Sequence, residues 1–214
     1  MDEPAYEAQL AETERAYDAT AQRYKARWHT RDPIVQDKER FVAMAGASAS
    51  FVDLGCGTGR DLAWFAQQGH RVVGIDRSQA MLQIAQESVP GARLIRADIR
   101  RLPLRDRSVD GWWASAVLLH LGPADVFRAL REAHRIARPG GVGFIAVREG
   151  VGARFEPVDD TSYHRYFSYW QASALDEVLT QTGWDVHDAR TTPDSQGRGT
   201  WLIRIARRTS RFAR

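Results

Sequence analysis

The sequence is poor in cysteine and lacks long apolar runs. Cys56 is the only cysteine among 214 residues, which excludes an intramolecular disulfide and suits a reducing compartment. No apolar run approaches the roughly 18 residues that a membrane-spanning helix needs. Residues 1–4 are acidic and lack the apolar centre of a secretory signal. We therefore expect a cytoplasmic protein that does not contact a membrane.

Lysine is also scarce, because only Lys25 and Lys38 contribute to the 30 basic residues. The formal charge of +3 and the isoelectric point near 9.3 are compatible with a nucleic-acid partner. The dominance of arginine, however, indicates genome composition more than function. The clearest local excess of arginine lies near the C-terminus, at Arg204, Arg207, Arg208, Arg211 and Arg214. We interpret this tail as a solvated chain end, and expect no nucleic-acid partner.

The spacing of apolar residues predicts alternating strands and helices. A helix is expected over residues 5–28, and a second after Asp32-Pro33, where aspartate would cap and proline would occupy the first turn. Further strands are predicted at 50–54, 71–75, 92–96, 109–114 and 142–147, and further helices at 60–68, 79–87 and 123–137. This alternation is typical of a parallel sheet with helices on both faces and right-handed crossovers.

The C-terminal part departs from that alternation. Residues 184–190 and 200–207 both have strand patterns, and the turn-rich stretch between them leaves no room for a helix. They are therefore expected to pair as an antiparallel hairpin. The sequence thus predicts one α/β domain over 1–214, with a seven-stranded, mostly parallel sheet. We expect an N-terminal helical cap over 1–46 and a lid insertion over 149–170.

A glycine-rich turn follows the first predicted strand. Gly55, Gly57 and Gly59 alternate there, and glycine permits positive φ and a close approach of ligand to backbone. The backbone N–H groups and the helix start provide a positive field. A dinucleotide site would need glycine at the first, third and sixth positions. The sixth position is Arg60 or Leu62, depending on the first glycine counted. The turn therefore indicates a nucleotide-like ligand, but not a dinucleotide.

Three aspartates lie at or just past the ends of consecutive strands: Asp53, Asp76 and Asp98. Together with the turn they resemble the cofactor motifs of class I S-adenosylmethionine-dependent methyltransferases, and the resemblance extends from about residue 17 to residue 207. It implies a Rossmann-like fold and S-adenosylmethionine as cofactor. Asp53 would hold the methionine ammonium, Asp76 the ribose hydroxyls and Asp98 the adenine amino group. The resemblance also assigns to the cofactor Tyr24, Gly55, Cys56, Gly57, Gly59, Arg77, Met81, Ile99 and Ser115.

Methyl transfer by in-line displacement mainly requires alignment of the reacting atoms and exclusion of water. His120 follows the fourth strand and is our candidate catalytic residue, as a base or an orienting group; the alternative is a partner for a backbone carbonyl at the next helix. Tyr17, Tyr24 and Trp28 share one face of the first helix. The resemblance places such a helix over the cofactor, with a tyrosine near the methyl group, whereas an ordinary core face would explain the same pattern.

An aromatic-rich segment, 163–170, follows the fifth strand and resembles the substrate lid of small-molecule methyltransferases. Aromatic rings exclude water and can face a cation, and Arg148 or Arg165 could hold a substrate carboxylate. Packing under the last helix explains some of these side chains equally well. The candidate substrate residues are Trp28, Arg148, Arg165, Tyr166 and Tyr169. The six histidines and Cys56 show no metal-ligand spacing, so no metal is expected.

These features predict methyl transfer from S-adenosylmethionine to nitrogen or oxygen of a small-molecule metabolite. Two alternatives stay open. The basic isoelectric point would suit a methyltransferase acting on RNA, such as a tRNA base. A cofactor-binding protein without activity is compatible with the same fold. The acceptor and the oligomeric state are not indicated by the sequence.

Overall fold

The computed structural model describes residues 3–28, 32–158, 160–194, 197 and 199–209. In that part of the chain no helix is both long and apolar enough to cross a membrane. The elements follow in chain order: α1 (Glu3–Trp28), α2 (Val35–Ala45), β1 (Ser50–Leu54), α3 (Arg60–Gln67), β2 (Arg71–Asp76), α4 (Gln79–Ser88), β3 (Arg93–Arg96), β4 (Val109–Ser115), a 3₁₀ turn (Leu118–His120), α5 (Pro123–Ile136), β5 (Ala137–Arg148), β6 (Ala153–Pro157), β7 (His164–Ser168), α6 (Ala172–Gln181), β8 (Trp184–Pro193) and β9 (Thr200–Arg208).

Seven strands form one sheet in the order β3-β2-β1-β4-β5-β9-β8. The first five are parallel, and β9 runs antiparallel to both β5 and β8. The predicted seven-stranded sheet with an antiparallel C-terminal hairpin is therefore confirmed. The strand order reverses at β1, which has β2 on one side and β4 on the other. Ligands of such sheets bind at the carboxyl ends of the strands at this reversal.

Two neighbouring tryptophans of β4 show how both faces of the sheet are covered. Successive strand residues point to opposite faces, so Trp112 and Trp113 enter different cores, and both are fully buried. Trp112 packs against Trp184, with ring centroids 5.0 Å apart. Trp113 stacks on Phe144 at 3.6 Å and also contacts Phe41 of α2. Trp113 thus joins one face of the sheet to α2, and Trp112 joins β4 to β8 in the core of the other face.

Three local predictions were wrong. Asp32 and Pro33 do not start α2, whose N-cap is Ile34 with no side-chain cap, because Asp32 instead forms an ion pair with Lys38. The fifth strand, expected over 142–147, already begins at Ala137, and its pairing with β4 shifts in register between Val109 and Gly111. A second, two-stranded sheet of β6 and β7 occupies the lid insertion, where the sequence indicated aromatic residues but no strands.

The basic C-terminal segment is not a solvated end up to Arg208. Arg204 lies in β9, is 3% exposed and forms an ion pair with Asp176 of α6. Arg207, in the same strand, donates to the backbone carbonyls of Gly140 and Met44. The prediction of a solvated end was wrong because β9 lies within the sheet, between β5 and β8, so its arginines contact neighbouring elements. Arg211 and Arg214 lie outside the described residues, as do Met1 and Asp2.

Candidate active site

The turn between β1 and α3 uses its three glycines in different ways. All three have positive φ: 70° at Gly55, 52° at Gly57 and 81° at Gly59. A Cβ atom at Gly55 would lie 2.3 Å from Cγ2 of Val117, so this glycine permits close packing against the loop after β4. A Cβ at Gly57 would meet no heavy atom within 4 Å. Gly57 therefore borders open space, into which a ligand can approach the backbone.

Asp76, at the end of β2, connects its strand to the turn. Its Oδ2 accepts from the backbone N–H of Gly57 and its Oδ1 from that of Ser78, both at 2.9 Å. Burial raises the pKa of this carboxyl above its usual value, although the two backbone hydrogen bonds counteract the effect. Each carboxylate oxygen has a second lone pair, so Asp76 can also accept from ligand hydroxyls.

Asp53 is a buried carboxylate, 4% exposed, at the carboxyl end of β1. Burial and the nearby Asp61 carboxylate raise its pKa well above the usual value, while Lys38 and Arg60 act in the opposite direction. Within the described ranges the carboxylate of Asp53 forms no hydrogen bond or ion pair, and Lys38 and Arg60 interact with it only through their charges. Burying an unpaired charge is unfavourable, so a cationic ligand group would stabilise this site.

A buried ionic network lies beside Asp53, and the sequence analysis did not detect it. Lys38 of α2 is completely buried and pairs with Asp32 and Asp61, each at 2.8 Å. Asp61 also accepts from Arg60 at 2.8 Å and from the indole of Trp113 at 2.9 Å. Burial opposes ionisation of Asp61, yet these cations hold its pKa below the usual value. Only the fold brings together groups so far apart in sequence.

Asp98, past the end of β3, is held by arginines. Arg100 donates to it from Nη2 at 2.8 Å, and Nη1 of Arg77 lies 3.4 Å away. Burial opposes the shift, but these hydrogen bonds and charges lower the pKa of Asp98. Arg77 also pairs with Glu14 of α1 at 3.0 Å. The ionised carboxylate is therefore fixed in place as an acceptor between the sheet and α1.

A first cavity lies at the carboxyl ends of the strands, beneath α1. Its lining brings together most of the predicted cofactor residues, namely Tyr24, Gly55, Gly57, Asp76, Arg77, Met81, Asp98, Ile99 and Ser115. The sequence analysis missed further lining residues from α1 and from the loop after β4, namely Leu10, Thr13, Glu14, Val117 and Leu121. None of them belongs to a motif that a single sequence reveals.

Three predicted cofactor residues are not among those that line this cavity. Asp53 and Gly59 belong to the turn but are absent from its wall. The Cys56 side chain points elsewhere: it packs in an apolar cluster with Leu62 and Leu82. Burial raises the pKa of its thiol well above the usual value. The side chain of Cys56 thus fills the core under α3 and does not line the cavity.

His120 bridges two elements that cover the cavity. Its Nδ1 lies 2.7 Å from the carbonyl oxygen of Tyr166, and its Nε2 lies 2.7 Å from the hydroxyl of Tyr17. A carbonyl can only accept, so Nδ1 carries the proton and Nε2 accepts from Tyr17. Burial lowers the pKa of His120 to about 3, so the ring is neutral near pH 7. This geometry supports His120 as an orienting group, and its low pKa makes the ring a weak base.

Tyr17 is the centre of this contact. Besides donating to His120, its hydroxyl accepts from Nη1 of Arg165 at 3.3 Å. The guanidinium carbon of Arg165 lies 5.2 Å from the centroid of the Tyr17 ring. The ring centroids of Tyr17 and Tyr24 are 5.9 Å apart. A residue of α1, one of the loop after β4 and one of β7 thus meet at a single hydroxyl. The sequence analysis had no signal for this meeting beyond the aromatic face of α1.

A second cavity of about 590 Å³ adjoins the first. The two share the lining residues Tyr17, Tyr24, Ser115, Ala116 and His120. Four of the five predicted substrate residues line the second cavity: Trp28, Arg148, Arg165 and Tyr169.

Tyr166 is the exception, because it does not line this cavity. It is 4% exposed, and its ring packs edge-on against Tyr6 of α1, with centroids 5.4 Å apart. Side chains alternate along a strand, so Arg165 and Phe167 face the cavity while Tyr166 faces the helix. Over the described ranges, no group of three or more His, Cys, Asp or Glu side chains is suitably placed for a metal ion.

Comparisons with known proteins agree with this geometry. A family model described as a methyltransferase domain matches residues 52–145. A malonyl-[acyl-carrier protein] O-methyltransferase of Pectobacterium atrosepticum is 36% identical over 115 residues, which cover 52% of this chain and 45% of that protein. An uncharacterized 37.1 kDa protein of transposon TN4556 from Streptomyces fradiae is 44% identical over 105 residues, 46% of this chain and 29% of that protein. The chain thus spans less than half the length of both relatives.

Among solved structures, the chain resembles the 1,6-didemethyltoxoflavin-N1-methyltransferase of Burkholderia thailandensis. The TM-score is 0.79 at 24% sequence identity, and the match covers 98% of this chain and 92% of that one. That crystal structure contains 1,6-didemethyltoxoflavin and S-adenosylhomocysteine. At this identity the likeness shows a common fold.

Proposed function

We propose that the chain is a class I S-adenosylmethionine-dependent methyltransferase, because a methyltransferase-domain model matches residues 52–145, and that it transfers the cofactor's methyl group to nitrogen or oxygen of a small molecule. The observation that carries this proposal is the pair of adjoining cavities. One is lined by the strand-end residues of the cofactor motifs, and the other by aromatic and charged side chains. The shared wall is where a methyl donor and an acceptor would meet.

The first cavity fits the cofactor. Asp53, a buried carboxylate of the turn that does not itself line the cavity, is our candidate for the methionine ammonium. Asp76 keeps lone pairs for the ribose hydroxyls, and Asp98 is a fixed acceptor for the adenine amino group. The apolar side chains of Met81 and Ile99 would pack on the base. The bound cofactor supplies a methyl group on a positively charged sulfur, which leaves as a neutral thioether.

The protein's own part in the transfer is alignment and exclusion of water. We propose that the cap, residues 1–46, and the lid, residues 149–170, enclose the single domain's reaction site. The hydroxyl of Tyr17, oriented by His120, lies on the wall common to both cavities. We assign His120 to the positioning of Tyr17, since its ring is neutral and its Nε2 is already occupied.

A small-molecule acceptor agrees with the size of the second cavity, which falls in the range of about 300–1,000 Å³ usual for small ligands. Both oxygen and nitrogen are kept as accepting atoms, because the Pectobacterium protein is an O-methyltransferase and the Burkholderia protein an N-methyltransferase. An RNA acceptor has support only from the isoelectric point. Arg100, Arg135 and Arg204 are ion-paired with carboxylates, so they do not build a basic surface.

The experiment is an assay of S-adenosylhomocysteine formation from S-adenosylmethionine, with a panel of amines, phenols and carboxylic acids. We expect product formation that depends on one class of acceptor. If the protein binds the cofactor but methylates no member of a broad metabolite panel or of total tRNA, the inactive cofactor-binding alternative is supported instead. Methylation of tRNA alone would replace the small-molecule proposal.

A further inference from the structure

The second cavity has an uneven charge. Three carboxylates line it, Asp37, Glu156 and Asp194. Seven arginines line it as well and come from six different elements: Arg23 and Arg27 of α1, Arg60 of α3, Arg148 of β5, Arg154 of β6, Arg165 of β7 and Arg190 of β8. The positive side chains therefore surround the cavity instead of forming one stripe.

Each of the three carboxylates already has a partner. Asp194 accepts from Nη2 of Arg148 at 3.2 Å, and Asp37 forms an ion pair with Arg190. Glu156 accepts from the hydroxyl of Tyr169. Arg60 also pairs with Asp61 and Arg190 with Asp188, two carboxylates outside the lining. Seven arginines against five carboxylates leave a positive excess in the cavity. A concave site with low-dielectric walls concentrates such a field and attracts ligands of the opposite charge.

Two of the arginines lie over aromatic rings. The guanidinium carbon of Arg165 lies 5.2 Å from the ring centroid of Tyr17 and 5.3 Å from that of Phe167. That of Arg148 lies 4.9 Å from the Trp201 ring. Stacking restricts the side chain, so less conformational entropy is lost when its planar fork binds two oxygens of one anion. Arg165 also donates a hydrogen bond to the hydroxyl of Tyr17, so its guanidinium lies beside the wall that the two cavities share.

The remaining wall is aromatic, with Trp28, Phe167, Tyr169 and Trp201 in the lining. We propose that the acceptor is an anion: a small molecule with a carboxylate or phosphate group on a planar apolar body, held by Arg165 and Arg148. Both anionic groups present the paired oxygens that a guanidinium recognises. This inference rests on the proposed function, because it concerns the acceptor of the same transfer.

The test is calorimetric titration of the protein saturated with S-adenosylhomocysteine. The probes are phenylacetate, phenyl phosphate and the neutral phenylacetamide. We expect at least one anion to bind about tenfold or more tightly than the amide, since a charge-assisted hydrogen bond contributes that much. The stronger of the two anions identifies carboxylate or phosphate as the group recognised. Anion affinity should also fall with added salt.

Variants locate the binding. Arg165→Gln and Arg148→Gln should each weaken anion binding by about tenfold, and should retain affinity for S-adenosylhomocysteine. Arg93→Gln is the matched control, because Arg93 is an exposed arginine of β3 that lines neither cavity. The proposal is overturned if neither anion binds, if the amide binds equally well, or if both cavity variants bind anions like the control. Failure to bind S-adenosylhomocysteine would instead contradict the proposed function.

Discussion

A substitution at Gly57 should affect the proposed cofactor binding and the stability of the protein in two separately measurable ways. Its φ of 52° is strained for any other residue, but a Cβ there would meet no protein atom within 4 Å. Gly57→Ala should lower the free energy of unfolding by about 1 kcal/mol, the usual cost of a left-handed residue. It should also weaken S-adenosylhomocysteine binding about tenfold or more, because the methyl group occupies ligand space. Chemical denaturation and calorimetry measure the two effects.

Gly69 offers a matched control at the end of α3. Its φ is 82°, a Cβ there would likewise meet no atom within 4 Å, and it lines neither cavity. Gly69→Ala should therefore reproduce the loss of stability and leave cofactor affinity unchanged. Equal affinities of the Gly57→Ala and Gly69→Ala proteins would show that Gly57 does not border the cofactor.

His120 makes stability depend on pH. Burial lowers its pKa from 6.5 to about 3 in the folded protein. Below pH 6.5 the unfolded chain binds a proton that the folded protein does not, so stability is complete above that pH and falls as the pH drops toward 3. His120→Gln removes this titration, and its free energy of unfolding should change less between pH 7 and pH 4, by urea denaturation. A residual slope is expected from His134, whose pKa burial lowers to about 4.

An unchanged pH slope in His120→Gln would contradict the buried, neutral ring. Tyr17→Phe provides the functional comparison, because it removes the hydroxyl and keeps the histidine. If His120 only positions Tyr17, both variants should lower kcat to a similar extent, and the kcat profile between pH 6 and pH 8 should keep its shape in His120→Gln.

Single residues also show where sequence reasoning reaches its limit. The alternation of glycines in 55–59 was sufficient to predict the cofactor turn, but not the direction of Cys56 between them. Its side chain enters the core because Leu62 and Leu82 lie on that side of the turn. The register of β7 likewise turns Tyr166 away from the cavity. Neither direction can be derived before the neighbouring elements are placed.

At the scale of elements, α1 covers the first cavity. Polar contacts join it to the sheet edge and to α4. Oδ1 of Asp18 accepts from the hydroxyl of Ser78 at 2.6 Å and from the backbone N–H of Ala80 at 3.0 Å. These groups belong to the N-terminus of α4, where unpaired N–H groups favour a carboxylate. Asp18 thus holds α1 against the N-terminus of α4, beside the first cavity.

Asp18→Ala should destabilise the protein by about 1–2 kcal/mol, since it leaves part-buried donors without their acceptor. It should also increase the dissociation rate of S-adenosylhomocysteine, measured by stopped flow, because α1 opens more readily. Glu87→Ala is the control: it removes an exposed ion pair with Lys25 between the same two helices. Exposed pairs contribute less than about 1 kcal/mol. Equal dissociation rates in the two variants would mean that α1 does not retain the cofactor.

The sequence predicted the central elements better than the lid. Strands such as β1 and β4 are mostly buried on both faces, so apolar residues predominate in them and turn signals follow. The strands β6 and β7 lie outside the main sheet and mix arginine, histidine and aromatic residues, so their alternation is masked. The lid was recognisable by its aromatic content and its position after β5. Its hairpin was not, because its pairing partner lies within the same short insertion.

In the molecule as a whole, the reversal of strand order at β1 determines where the site lies. Parallel strands bring Asp53, Asp76 and the loop after β4 to one edge, and α1 and β7 close that edge from above. The strand-end aspartates could be predicted to meet because this topology follows from the alternation of elements. The second cavity could not, since it is assembled from α1, β6, β7 and β8, which are distant in sequence.

The account depends most directly on Asp53, a buried carboxylate whose raised pKa reflects an unfavourable charge. The decisive measurement is calorimetric titration of the wild-type, Asp53→Asn and Asp106→Asn proteins with S-adenosylhomocysteine. Asp106 is an exposed aspartate outside both cavities. We predict one-to-one binding by the wild type and by Asp106→Asn, and affinity about tenfold or more weaker in Asp53→Asn, with no loss of stability. Absence of binding by the wild type, or equal binding by all three proteins, would contradict the assignment.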